Sequence, residues 1–407
     1  MSGTQGSGRR QGLIALGVGL AAAGAGAALG LAAERLAAGH LLGGELPEAG
    51  TGDLPDPLGG PALGSVHGGA RIVVADDGVP LHVEVDEPAE GGRGDVPLTF
   101  VLSHGYALTL DSWHYQRLAL RGHGRLVLWD QRGHGRSGTG PAGGSTIDQV
   151  GADLSAVIDE VAPEGPLVLL GHSMGGMTVM ALAARRPELF AERVVGVGLI
   201  STSAGGLGAL DLGLPGFGRL AIRAAPAAAR VIARTPGLAA QGRRVSSDLE
   251  TLLVRRYSFA SDVAPELARF ATGMIAATRV EVISDFLPTF AGHDKREALA
   301  AMADAEVLVL VGDQDLLIPA AHSEEIARRL PSAEHVVVRH GGHLVLLEHP
   351  GVVDTHVLEL AERAAQVART SRPGTRRTAW GRRTVTPVRP RRPPRHGRRA
   401  RPSGKGS

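Results

Sequence analysis

The run Gly171-His172-Ser173-Met174-Gly175 constrains its surroundings more tightly than any other part of this chain. It spells G-x-S-x-G. An apolar run, Leu167–Leu170, precedes it, and a helix-like stretch, Thr178–Ala183, follows. A strand that becomes a helix within so few residues needs a turn almost free of side chains, hence the glycines. Such a turn lifts the Ser173 hydroxyl above the sheet edge. It also aims the next N–H, that of Met174, at the place where an oxyanion would form. With 58 glycines in the chain the pattern can arise by chance, so its meaning depends on what surrounds it.

What surrounds it is an alternation of buried strands and helices. The runs Leu98–Leu102, Leu126–Trp129, Leu167–Leu170, Val194–Ile200, Val307–Val311 and His335–Val338 read as strands. Helical stretches fall between them, around Ile147–Val161, Met174–Arg186, Ala320–Leu330 and Val352–Ala368. Arg71–Ala75 and Leu81–Val85 alternate like an edge hairpin. The pattern predicts an α/β fold with a mostly parallel, eight-stranded sheet flanked by helices. Aromatic residues make up only 3% of the chain, so Ala, Val and Leu must build its core.

One interval, Ser203–Ala305, is far longer than a crossover needs. Its helical periodicity, for example over Phe217–Val231 and Leu249–Phe259, predicts a helical cap at 203–305 above the strand ends. The core is then divided into 71–202 and 306–369.

The termini differ from this core. Residues 1–12 carry Arg9 and Arg10, and Leu13–Ala33 is a run of 21 uncharged residues. A helix of that length spans roughly 30 Å, enough for a bilayer core. The flanking charges predict a cytoplasmic N-terminus and a single-pass anchor in the cell membrane, with the rest of the chain outside the cytoplasm. A signal segment cleaved near Ala25-Gly26-Ala27, giving a secreted protein, is the rival reading, and a buried Ala-rich helix is the third. Residues 34–70 read as a flexible linker, being rich in Gly, Pro and acidic groups over Gly43–Gly69. The tail, 370–407, holds 13 basic residues and no acidic one, and reads as disordered. The absence of cysteine excludes disulfides and thiolate metal sites.

A serine hydroxyl is a weak nucleophile at neutral pH. It needs a base within hydrogen-bond reach, and the base needs an orienting acid. Downstream of Ser173, the strand Val307–Val311 ends in Gly312-Asp313-Gln314-Asp315. The next strand ends in Arg339-His340-Gly341-Gly342-His343. An acid and a histidine therefore fall at the ends of successive strands, the edge where open α/β sheets gather reactive groups. The loop after Leu98–Leu102 reads Ser103-His104-Gly105-Tyr106, and the Tyr106 N–H is the expected second oxyanion donor beside Met174.

In these pieces the chain resembles the α/β-hydrolase family, and within it the serine esterases and monoacylglycerol lipases. The matching residues are His104-Gly105, Asp130–Ser137, Gly171–Gly176, Gly312–Asp315 with Pro319, and Gly342-His343 with Glu348 and Pro350. They cover about Arg71–Arg369. The resemblance implies Ser173 as nucleophile, His343 as base and the second aspartate, Asp315, as acid, with Asp313 in reserve. It makes Asp130–Ser137, including His134, mainly a structural turn. His340 and His349 are expected as neighbours only. The pocket is expected to be lined by His104, Gly105, His172, Phe259, Met274 and Phe286, with His172 pointing into the scaffold as the other reading.

These readings imply a serine hydrolase acting on a small ester or lipid-like substrate, with no cofactor. No G-x-G-x-x-G follows the first strand, and the histidines lack the spacing of a metal site. The basic tail has one aromatic, Trp380, and no nucleic-acid module, so anionic surfaces are its expected neighbours. Cofactor-free haloperoxidases (perhydrolases) and carbon–carbon bond hydrolases share the same motifs and stay open as alternatives, because fold does not choose among them. A non-catalytic, membrane-associated binding scaffold is a third reading.

Overall fold

The computed structural model describes residues 54–88, 97–141, 143–207 and 254–370. At its centre is one sheet of eight strands: β1 (Gly69–Val74), β2 (Pro80–Asp86), β3 (Thr99–Ser103), β4 (Arg125–Trp129), β5 (Leu167–His172), β6 (Val194–Ile200), β7 (Glu306–Gly312) and β8 (Glu334–Val338). Their order across the sheet is β1-β2-β4-β3-β5-β6-β7-β8. Only β2 pairs antiparallel, with β1 and β4, and every other pairing is parallel. The order reverses beside β3, so the strand leading into the loop of His104 and Tyr106 and the strand leading into Ser173 are direct neighbours.

Strands β3, β5 and β6 are buried along their whole length, β6 at all seven positions. They read as unbroken apolar runs because helices cover both faces. On one face lie α2 (Ile147–Val161), α3 (Met174–Arg185) and α4 (Pro187–Glu192), packed in one core with Trp129, Leu169, Val197 and Val309. On the other lie α1 (His114–Leu120) and a C-terminal helix, α9 (Pro350–Thr370), around Phe100, Leu170, Leu308 and Leu360. The remaining helices of the described chain are α5 (Pro265–Ala277), α6 (Val280–Gly292), α7 (Ala321–Arg329) and α8 (Val345–Glu348). Helix α2 begins where Thr146 accepts the N–H of Gln149, a side-chain N-cap. Among the described residues no helix is long and apolar enough to cross a membrane.

The last part of the expected linker is not a linker. Leu54 pairs with Leu63 in an isolated bridge, and Leu63 is fully buried beside the α1 core. Asp56 accepts the N–H groups of Leu58 and Gly60 and the hydroxyl of Tyr115. Composition misleads here because two leucines and one carboxylate anchor a stretch otherwise made of Gly and Pro.

In the segment expected as a cap, the described residues run from 254. They comprise a helical turn at 254–258, α5, α6 and a 3-10 turn at Glu297–Met302. They lie against the loops that leave the C-terminal ends of the strands. Val282 contacts Gly133, Thr289 accepts the Ile147 N–H, and Ser258 accepts the Leu344 N–H. The N-terminal readings 1–12 and 13–33, the first part of the linker, the helical stretch Phe217–Val231 and the basic tail beyond Thr370 lie outside the described residues.

Candidate active site

Strand β5 ends at His172 and α3 begins at Met174, so Ser173 alone makes the turn. Its backbone sits at φ 52°, ψ −117°. That region costs a residue with a Cβ on the order of 1–3 kcal/mol. The turn is tight enough that a Cβ on Gly175 would collide with the Ser103 carbonyl, and one on Gly171 with the Gly175 carbonyl. Surrounding bonds hold the strain. The Ser173 N–H donates to Ile200 O at 2.9 Å, and Thr202 Oγ1 donates to Ser173 O at 2.6 Å.

The strained turn delivers Ser173 Oγ to 2.9 Å from His343 Nε2. His343 Nδ1 lies 2.8 Å from Asp315 Oδ2. The other Asp315 oxygen accepts the N–H groups of Leu317 and Ile318 at 2.9 and 2.8 Å, which fixes the carboxylate's orientation. In this arrangement the serine hydroxyl donates to Nε2 and the Nδ1–H donates to the acid. All three side chains are less than a tenth exposed. Asp313, two residues earlier, faces solvent. His340 lies beside Gln314, and His349 donates to the His340 carbonyl, so neither reaches Ser173.

The expected oxyanion donors lie at the ends of two paired strands, Tyr106 in the loop after β3 and Met174 just beyond β5. Met174 opens its helix and therefore has no intrahelical acceptor for its N–H. Tyr106 leads the turn closed by Leu108 N–H on Gly105 O. The Tyr106 hydroxyl donates to the Ile283 carbonyl at 2.5 Å, tying the loop after β3 to α6.

Of the expected pocket residues, Phe286 stands beside this loop, its ring 6.2 Å from Tyr106 and 5.4 Å from His134. Phe259 and Met274 are buried in the core that includes Phe270. His104 and His172 do not present free rings to a substrate. Both are fully buried and bonded to loop backbone. His104 Nε2 accepts the Gln131 N–H at 2.9 Å while Nδ1–H donates to Gly105 O at 2.7 Å. His172 Nε2–H donates to His343 O at 2.9 Å. A buried ring with such partners must stay neutral. Burial pushes His172 down to about 3, with the nearby His343 ring adding to it, and His134 down to about 4. Sequence spacing does not reveal the partners of His104 and His172, because a hydrogen bond to a distant backbone group leaves no local pattern.

Asp130 is likewise scaffold. Buried completely, it accepts the N–H groups of Leu110 and Arg136, and burial raises it to about 6. Among the described residues Glu334, His356 and Glu359 bring possible metal ligands together, but Arg363 already pairs with Glu334 at 2.7 Å.

A family model for the α/β-hydrolase fold matches residues 99–350, well over half of the chain. The chain belongs to the α/β-hydrolase family. This α/β-hydrolase is 29% identical over 276 residues to the dihydrolipoyllysine-residue acetyltransferase component of the acetoin cleaving system of Pseudomonas putida. That match takes in 66% of this chain and 64% of the relative, so this chain spans less than two thirds of it. A monoacylglycerol lipase of Mycolicibacterium smegmatis is 27% identical over 281 residues, covering 67% of this chain and 89% of the lipase. Among solved structures, a hydrolase from Pseudomonas aeruginosa superposes with a TM-score of 0.55 at 26% identity, covering 72% of this chain and 98% of that one.

Proposed function

We propose that this α/β-hydrolase is a serine hydrolase that cleaves carboxylic esters through an acyl-enzyme. The single observation that carries the reading is the continuous hydrogen-bonded line from Ser173 through His343 to Asp315, at 2.9 and 2.8 Å. Ser173 attacks the ester carbonyl as His343 takes its proton. Asp315 keeps His343 in the Nδ1–H form and offsets the charge of the imidazolium. The N–H groups of Met174 and Tyr106 bind the oxyanion, each worth roughly 3 kcal/mol in the transition state. His343 then returns its proton to the leaving alcohol. A water molecule, activated by the same base, releases the acid.

A lipid-like acyl group is the substrate class this reading favours. Its supports are the apolar residues of 254–302 against the strand ends and the similarity to a monoacylglycerol lipase. The uncharged run Leu13–Ala33 would place such an enzyme at the outer face of the cell membrane. Cell fractionation with N-terminal sequencing tests that placement. Full-length protein in the soluble cytoplasmic fraction would defeat it.

The activity itself is tested with a fluorophosphonate probe and a panel of p-nitrophenyl esters and monoacylglycerols. Wild-type protein should be labelled and should hydrolyse members of the panel, and Ser173→Ala should do neither while keeping its thermal midpoint. Undiminished turnover by Ser173→Ala would refute the mechanism. Hydrogen peroxide added to the assay reveals any perhydrolase side reaction of the same acyl-enzyme.

A further inference from the structure

Three backbone groups around His343 are held by bonds that lead to different parts of the chain. The His343 carbonyl accepts the Nε2–H of His172. The Leu344 N–H donates to Ser258 O at 2.8 Å. The Gly342 N–H donates to Glu348 Oε2 at 2.6 Å. The second oxygen of that carboxylate accepts the N–H groups of Ala260 and Ser261, at 2.8 and 2.5 Å, and the Ser261 hydroxyl at 2.6 Å. Four donors thus converge on one carboxylate, three on one oxygen and one on the other. Gly342 also lies so close to residues 259–260 that a Cβ on it would come within 2.8 Å of their backbone.

One side chain therefore joins two segments that are more than eighty residues apart. One is the loop that carries the base. The other, 258–261, belongs to the cap segment. Hydrogen bonds from backbone N–H groups to an ionised carboxylate are stronger than neutral ones. The join does not touch Ser173 or the oxyanion donors.

We propose that Glu348 is a positioning residue for His343, fastening the base loop to the cap so that the two move together. The proposal rests on the reading of His343 as the base. A glutamine in this place cannot do the same. Turning one oxygen into an NH₂ group sets a donor against either the Gly342 N–H or the three donors of 260–261. The base loop would then relax, and a displacement of about 1 Å between base and nucleophile costs on the order of 100-fold in rate. Substrate contacts would be unchanged.

The test uses full-length Glu348→Gln and Ser261→Ala. Three quantities are read: kcat and KM on a p-nitrophenyl ester, the rate of fluorophosphonate labelling, and the far-downfield proton resonance of the His343–Asp315 hydrogen bond. E348Q should lose at least tenfold in kcat and labelling rate, with KM within twofold of wild type and the resonance shifted or broadened. S261A removes one of the four bonds and should show a smaller loss, about threefold in kcat, in the same pattern. A folded E348Q with wild-type kcat and an unmoved resonance overturns the proposal. Should E348Q fail to fold, S261A decides, and wild-type kcat with an unmoved resonance overturns it equally. If wild-type protein neither hydrolyses esters nor takes the probe, the ester-hydrolase reading fails by itself. The resonance then still decides the role of Glu348.

Discussion

At the scale of single residues, Asp315 and Asp313 are two carboxylates of one loop that differ in whether they reach His343. Both follow β7, and only the resemblance to the family ranks them. In the structure Asp315 is buried and bonded to His343 Nδ1, while Asp313 is exposed. Asp315→Asn preserves shape but favours the wrong tautomer of His343, a change expected to lower kcat by about four orders of magnitude. Asp313→Asn should leave kcat within threefold. Steady-state kinetics on one ester compares the two, and the reverse ranking would remove Asp315 from its role. Ser173 and His343 were legible because the motifs arrive in a fixed order at strand ends, and Asp315 through the resemblance alone. His104, His172 and Glu348 were legible only as types. Their partners lie up to 171 residues away, and no spacing encodes a bond from one loop to another's backbone.

At the scale of elements, β6 and α2 begin and end where their apolar patterns do, because uninterrupted burial and a Thr146 cap leave clear marks in the sequence. Helix α1 left no such mark. Its buried face includes His114, Gln116 and Arg117, so it shows no apolar period. Arg117 is held there by Glu84 and Asp86 on β2, each at 2.7 Å, and Gln116 by Asp354 on α9 at 2.8 Å. The segment 54–69 hid behind its glycines and prolines in the same way. Leu63→Ala separates the two descriptions of that segment. A flexible linker would tolerate it with no measurable change. A fully buried leucine packed against the α1 core should cost about 2–5 kcal/mol, read as a lower denaturation midpoint in urea. An unchanged midpoint would return 54–69 to linker status.

At the scale of the whole molecule, the ionisable groups buried near the active site set how the fold responds to acid. His134 and His172 are neutral in the fold, held at about 4 and about 3 by burial, against 6.5 for an unperturbed ring. His104 is pushed down in the same direction. Below pH 6.5 the unfolded chain binds more protons at these rings than the folded chain does, so their contribution to stability falls with falling pH. Asp130 and Asp354 act oppositely. Burial raises both to about 6, so the fold takes up their protons first and gains stability as pH falls from 6 toward 3.8. The histidines begin to act at higher pH and are more numerous, so the thermal midpoint should decline from pH 7 to pH 5. For His134 alone the loss by pH 5 is about 2 kcal/mol. Its ring lies among Tyr106, Phe286 and His104, surroundings that accept a phenyl group. His134→Phe gives up the bond from Nδ1–H to Arg132 O and should be less stable at pH 7 by about 1 kcal/mol. It should also lose a share of the acid sensitivity, so that its midpoint changes less than the wild-type midpoint between pH 7 and pH 5. Parallel curves for the two proteins would show that His134 does not titrate as its burial requires, and the acid response would then have to come from His104 and His172.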